Sequence, residues 1–128
     1  PYLPANHTRH SVVYTGTHDN DTSIGWYRAL DEPTRDIVRA ALDDADDMPA
    51  ALIRAAYESP ANLAVIPMQD LLGLGPEARM NVPGTAAGNW TWRFDWTQVP
   101  ADFADRYAAL ATRYQRARTA DRQTAVAR

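Results

Sequence analysis

Residues 11–27 read SVVYTGTHDNDTSIGWY, and how this stretch is read decides the fold. Residues 11–15 are a short β-branched and aromatic run of strand length. Residues 16–22 form a Gly-containing polar turn that leads into Ile24, Trp26, Tyr27 and Leu30. Strand, loop and helix in that order is half of a β/α repeat. The turn carries His18, Asp19, Asn20 and Asp21 where the strand ends. Such a crowd of polar groups is either a set of turn and cap residues or a reactive site. From spacing alone both readings stand, because Asp19 and Asp21 are each placed to cap a helix beginning near Thr22.

Outward from this stretch the same grammar continues. Asp31 is placed to cap a second helix with Pro33 in its first turn, and Ile37, Val38, Ala41 and Leu42 share one face. The acidic stretch from Asp43 to Asp47 ends it. Asp47 then opens a third helix through Pro49, with Leu52, Ile53, Ala56 and Tyr57 as its expected buried stripe and Ser59-Pro60 as its stop. Residues 63–66, LAVI, are an unbroken apolar run, the pattern of a parallel strand covered on both faces. Gln69 and Asp70 follow, with Asp70 expected to cap the short turn at Leu71-Leu72. Residues 71–89 read as a long Gly- and Pro-rich loop. In NWTWRFDW, residues 89–96, aromatics alternate, which predicts an extended segment packing one face into a core; stacking of Trp90, Trp92 or Trp96 on sugar rings is the rival role. Phe103, Tyr107, Leu110, Ala111 and Tyr114 mark a last amphipathic helix, and residues 117–128 a polar tail.

The chain has 128 residues, 45% of them hydrophobic, enough for one domain. Two strands cannot make a stable parallel sheet, since each leaves an edge of unpaired backbone groups. The expected fold class is therefore α/β, with the rest of the sheet in sequence outside this chain and self-association along the open edges when the chain stands alone. The opening Pro-Tyr-Leu-Pro has neither a translation start nor a signal sequence, in keeping with a piece of a longer protein. Thirteen basic residues, all Arg, against 16 acidic ones give a net charge of −3 without a basic block, which argues against nucleic acid as a partner. No apolar run is long enough to span a membrane. The absence of Cys removes disulfides, thiolate nucleophiles and thiolate metal ligands, and fits a cytoplasmic location.

Residues 11–27, with PYLP at the start and QDLLGLGPEARMNVPGT followed by GNWTWR downstream, resemble the C-terminal part of the amylomaltases. These are the 4-α-glucanotransferases, or disproportionating enzymes, of glycoside hydrolase family 77. The resemblance runs from Pro1 to about Tyr114. It implies the seventh and eighth β/α units of a (β/α)₈ TIM barrel, incomplete on its own, with residues 1–128 forming the C-terminal portion of the catalytic domain. It further implies transfer of an α-1,4-glucan segment to the 4-hydroxyl of glucose or another glucan, with retention and with no cofactor or metal.

Amylomaltases use three carboxylates: an Asp nucleophile after the fourth strand, a Glu acid/base after the fifth and an Asp after the seventh. By the same resemblance Asp19 corresponds to the third, His18 to its sugar-binding neighbour, and LAVIPMQD to the eighth strand. The nucleophile and acid/base motifs are absent from these residues, so the chain alone is expected to be inactive and to need the N-terminal remainder of the enzyme. A retaining transfer passes through an oxocarbenium-like state between two carboxyl groups about 5 to 5.5 Å apart. A third carboxylate can hold hydroxyls of the distorted ring as charge develops, and an imidazole can donate to the same ring.

Asn81, in RMNVPG, is a second substrate-binding candidate, with a turn role as the plain alternative. Arg79 and Arg93 are suited either to sugar hydroxyls or to pairing with acids. The His7-His10 spacing with His18 and Asp19 is a weak metal pattern, since no predicted helix aligns the first two. A non-catalytic carbohydrate-binding module also explains aromatics and polar loops; such modules are usually β-sandwiches, whereas helical periodicity dominates here.

Overall fold

The structure, a computed structural model, describes residues 3–43 and 47–117. The expected polar tail beyond 117 lies outside them. Strand β1 (Val12–Tyr14) is followed by α1 (Ser23–Ala29), α2 (Glu32–Ala41), α3 (Met48–Glu58), β2 (Leu63–Val65), α4 (Met68–Leu71) and α5 (Phe103–Arg113). The two strands pair in parallel, with Val12 opposite Leu63, Val13 opposite Ala64 and Tyr14 opposite Val65. A parallel pair requires a crossover, which here is the three-helix stretch α1 to α3.

One face of the pair is covered. Val13, Ala56 and Ala61 form the buried cluster, with Ala64 and Ile66 against it, so α3 lies over the inner face of both strands. α1, α4 and α5 in turn pack on α3. The other face is open: Val12 and Tyr14, and their partners Leu63 and Val65, are all exposed. The cover that the LAVI pattern predicts for this second face is not supplied by the described residues, where Tyr14 and Val65 only edge a cavity. The core is correspondingly thin, and no large side chain among the described residues is fully buried.

Sequence signals set the helix ends. Asp31 accepts from the Thr34 amide at 2.8 Å and Asp47 from the Ala50 amide at 3.3 Å, both at N-caps followed by Pro. α3 ends at Ser59. The apolar stripe assigned to α2 is not a core: Ile37 is 70% exposed and α2 buries no residue. Within α3, Ala51, Ile53 and Ala56 are buried, whereas Leu52 and Tyr57 are only half-buried. The aromatic segment is not an extended strand either. Trp90 has φ +61°, which breaks the alternation, and residues Trp96–Gln98 form a 3-10 turn. Core packing fails for its ends, since Trp90 is exposed and Trp96 is 77% exposed, although Phe94 stacks on Trp92 and meets Trp96 edge-on.

α5 is held by polar contacts. The Tyr107 hydroxyl donates to the Leu71 carbonyl at 3.0 Å and the Tyr114 hydroxyl to the Glu58 carboxylate at 2.8 Å. Arg116, just beyond α5, donates to the carbonyls of Tyr57 at 2.7 Å, Ser59 at 2.7 Å and Ala61 at 3.0 Å, closing the end of α3.

Candidate active site at the strand ends

The polar crowd after β1 sorts into groups that build the loop and groups that the loop displays. Asn20 accepts through its side-chain oxygen from the Thr17 amide and hydroxyl, both at 2.8 Å, and its own amide donates to the Thr17 carbonyl at 3.1 Å. A tight four-residue turn results, with His18 and Asp19 at its tip. Asp21 accepts from the Thr22 amide at 2.7 Å, and Thr22, not Asp19 or Asp21, caps α1 by accepting from the Gly25 amide at 3.1 Å. Gly25 leaves room there for the Asp21 carboxylate, which a Cβ at that position would meet at 2.5 Å and displace. Asn20, Asp21 and Thr22 are therefore structural. His18 and Asp19 are spent on neither turn nor cap.

Asp70 is corrected from the cap expected at Leu71-Leu72. Its carboxylate is buried and reaches across the chain, accepting from the Thr15 hydroxyl at 2.6 Å, the Ser23 amide at 2.8 Å and the Ser23 hydroxyl at 2.7 Å. Three donors satisfy most of its lone pairs, and the Ser23 amide is one of the orphan donors at the start of α1. Asp70 thus fixes the loop after β1 to the segment after β2.

Between these two loops lies a cavity of about 480 Å³ at the carboxyl ends of both strands. Tyr14, Thr17, His18, Val65, Arg79 and Trp90 are among its walls, and its size falls within the range of small-molecule sites. Gln69 lines it as well and donates to the Ala78 carbonyl at 3.3 Å. Asp19 is outside the lining and adjoins it through His18, whose Nε2 is 3.4 Å from Asp19 Oδ1. Both side chains are about half exposed, His18 at 56% and Asp19 at 51%.

All three sequence candidates come together. Asn81 donates from its side-chain amide to Asp19 Oδ1 at 2.6 Å and from its backbone amide to the His18 carbonyl at 3.1 Å. Among the described residues no main-chain amide binds the Asp19 carboxylate. The plain turn role for Asn81 is not what the geometry shows, since its side chain is used 62 residues away in sequence.

Two participants were not legible in their actual roles. Among the described residues Arg79 pairs with no acid; it donates to the Asp19 carbonyl at 2.7 Å and the Asn81 carbonyl at 2.9 Å. Trp90 sets its indole 5.0 Å from the His18 imidazole, tilted by 39°. Its backbone amide donates to the Met80 carbonyl at 2.8 Å, which holds the left-handed conformation in place. Arg93 turns back on its own segment, donating to the carbonyls of Trp90 and Trp92. Among the described residues no group of three His, Asp or Glu side chains is disposed to hold a metal ion, and no helix is long and apolar enough to cross a membrane.

A family model described as 4-alpha-glucanotransferase, glycoside hydrolase family 77, matches residues 1–98. The chloroplastic/amyloplastic 4-alpha-glucanotransferase of Arabidopsis thaliana is 52% identical over 95 residues, covering 73% of this chain and 16% of the relative. The 4-alpha-glucanotransferase of Thermus thermophilus is 42% identical over 125 residues, covering 91% of this chain and 25% of the relative. Among solved structures, an amylomaltase from Streptococcus agalactiae in complex with acarbose superposes with a TM-score of 0.86 at 27% identity, over 91% of this chain and 24% of that one. The chain thus spans about a quarter or less of the length of these relatives.

Proposed function

Because the chain belongs to the 4-alpha-glucanotransferase family, glycoside hydrolase family 77, we propose that it is the C-terminal part of such an enzyme's catalytic barrel, with β1 and β2 as the seventh and eighth strands. Residues 1–128 form one partial domain in this reading, completed by the N-terminal remainder of the same polypeptide. The whole protein moves an α-1,4-glucan segment from a donor maltodextrin to the 4-hydroxyl of glucose or another glucan. It does so in the cytoplasm, although relatives from plants carry plastid locations in their names.

The observation that carries this reading is the convergence of His18, Asp19 and Asn81 beside a cavity at the carboxyl ends of a parallel strand pair. In β/α barrels that end carries the chemistry. Asp19 is the carboxylate that accepts hydrogen bonds from hydroxyls of the distorted ring, and these strengthen as the ring becomes cationic. His18 donates to the same ring, and Asn81 holds Asp19 Oδ1 while leaving Oδ2 for the sugar. Bond breaking belongs to a nucleophile and an acid/base supplied from outside this chain. A carbohydrate-binding module is the weaker reading, because helices α1 to α5 dominate the described residues whereas such modules are usually β-sandwiches.

Incubating the full-length polypeptide with maltotriose should yield glucose and longer maltodextrins. Asp19→Asn or Asp19→Ala should lower turnover on the order of 10² to 10³ fold, the usual loss when one transition-state electrostatic group is removed. Near-normal turnover in both variants would falsify the role given to Asp19.

A further inference from the structure

The loop after β1 and the loop after β2 meet in a closed circuit of hydrogen bonds. Arg79 Nη2 donates to the Asp19 carbonyl at 2.7 Å, and Arg79 Nε to the Asn81 carbonyl at 2.9 Å. Asn81 returns two bonds, from its side chain to Asp19 Oδ1 at 2.6 Å and from its amide to the His18 carbonyl at 3.1 Å. We infer that Arg79 is a positioning residue that fixes the main chain of Asp19, and so the direction of its carboxylate, by tying it to the Asn81 loop. This rests on the role proposed for Asp19.

The chemistry of the side chain supports this over the two roles open to it from sequence. A guanidinium is a planar fork with donors at fixed angles. Here one arm of the fork reaches a carbonyl 60 residues away and the other a carbonyl two residues away. A hydroxyl-binding arginine would point its donors into the cavity, and an ion-pairing one would face a carboxylate. Arg79 lends a wall to the cavity, but two of its five N–H donors, on Nε and Nη2, are engaged with main chain. The local bonds between Thr17 and Asn20 fix the shape of the turn that displays His18 and Asp19, and Asp70 ties its flanks, Thr15 and Ser23, to the β2 side, whereas the Arg79 and Asn81 bonds act on the tip itself. A lysine carries its donors on a single nitrogen and lacks the fixed fork that meets these two carbonyls.

The test compares wild-type full-length polypeptide, Asp19→Asn, Arg79→Ala and Arg79→Lys on maltotriose. Loss of the fork lets the carboxylate drift, and misplacement by about 1 Å costs on the order of 10² fold in rate. The expected result for Arg79→Ala is therefore a fall in kcat of up to that size, with KM within about threefold of wild type, and partial recovery on adding millimolar guanidinium. Arg79→Lys should stay closer to Arg79→Ala than to wild type. Unchanged kcat, or a loss confined to KM, overturns the inference and makes Arg79 a bystander or a direct sugar contact. If wild type releases no glucose, or Asp19→Asn is fully active, it is the proposed function that fails, and this inference falls with it. Should the Arg79 variants not fold, a crystal structure of the full-length wild type decides: Nη2 still within hydrogen-bond distance of the Asp19 carbonyl upholds the clamp, and a fork turned to solvent or to a carboxylate removes it.

Discussion

Asp70 shows how much one buried carboxylate can organise in a chain with so thin a core. Its donors, Thr15 and Ser23, flank the displayed turn, so the bonds that stabilise the fold also set the frame of the cavity. Asp70→Ala leaves a buried amide and hydroxyl without partners and should cost about 3 kcal/mol, read as a lower urea midpoint at unchanged slope. Asp70→Asn keeps one acceptor oxygen and an amide that the Ser23 hydroxyl can accept from, so it should cost roughly half as much. At this scale the site was half legible. His18 and Asp19 could be singled out through motif resemblance and Asn81 through its place in the loop after the second strand, and the three do converge. Asp70 and Arg79 were named in other roles, because each bonds to atoms 47 to 60 residues distant, and nothing in sequence spacing reports such a partner.

Elements were legible where the signal is local. Caps at Asp31 and Asp47 followed by Pro set the starts of α2 and α3, and Ser59-Pro60 the end of α3. Periodicity identified which residues share a face and failed to say whether the face packs: Ile37 falls on an apolar stripe that meets solvent. Two expectations follow for the ends of these elements. The Asp31 carboxyl is held below the usual carboxylate range by its hydrogen bonds from Thr34, side chain first and backbone second, with the Arg35 charge a smaller aid. Since the folded value lies below the unfolded one, the cap is fully present above the ordinary Asp range and is lost as pH falls through the lower folded value. The Thr34 amide resonance should therefore titrate with a midpoint below that of an unstructured Asp, and Asp31→Ala should abolish the transition. At the other end of the bundle, Arg116 places a cation and several donors on the last carbonyls of α3, where the helix dipole favours positive charge. Arg116→Ala should cost about 2 kcal/mol and reduce amide protection in α5 and the last turn of α3. Arg116→Lys should restore less than half, having no planar fork.

At the scale of the molecule, the decisive feature is a sheet face that the described residues leave largely uncovered. An unbroken apolar run such as LAVI looks the same in sequence whether one face or both are covered, so the open side of Val12, Tyr14, Leu63 and Val65 was legible only as an expectation that two strands need more sheet. That face gives the same substitution opposite consequences in two settings. For the 128-residue chain by itself, exposed apolar side chains above unpaired strand edges favour association between copies. Leu63→Asp, at a position 54% exposed, should leave its helical circular dichroism unchanged while weakening concentration-dependent association in sedimentation by about tenfold or more, since an aspartate on a contact face must be desolvated. In the full-length polypeptide the same position faces the interior of a barrel under the proposed fold. A buried, unpaired carboxylate there costs several kcal/mol, enough to exhaust the stability of most domains, so the variant should be recovered as insoluble or inactive protein. A full-length Leu63→Asp enzyme with wild-type solubility and transferase activity would mean that this side of the sheet stays open to solvent, and the barrel assignment of β1 and β2 would have to be abandoned.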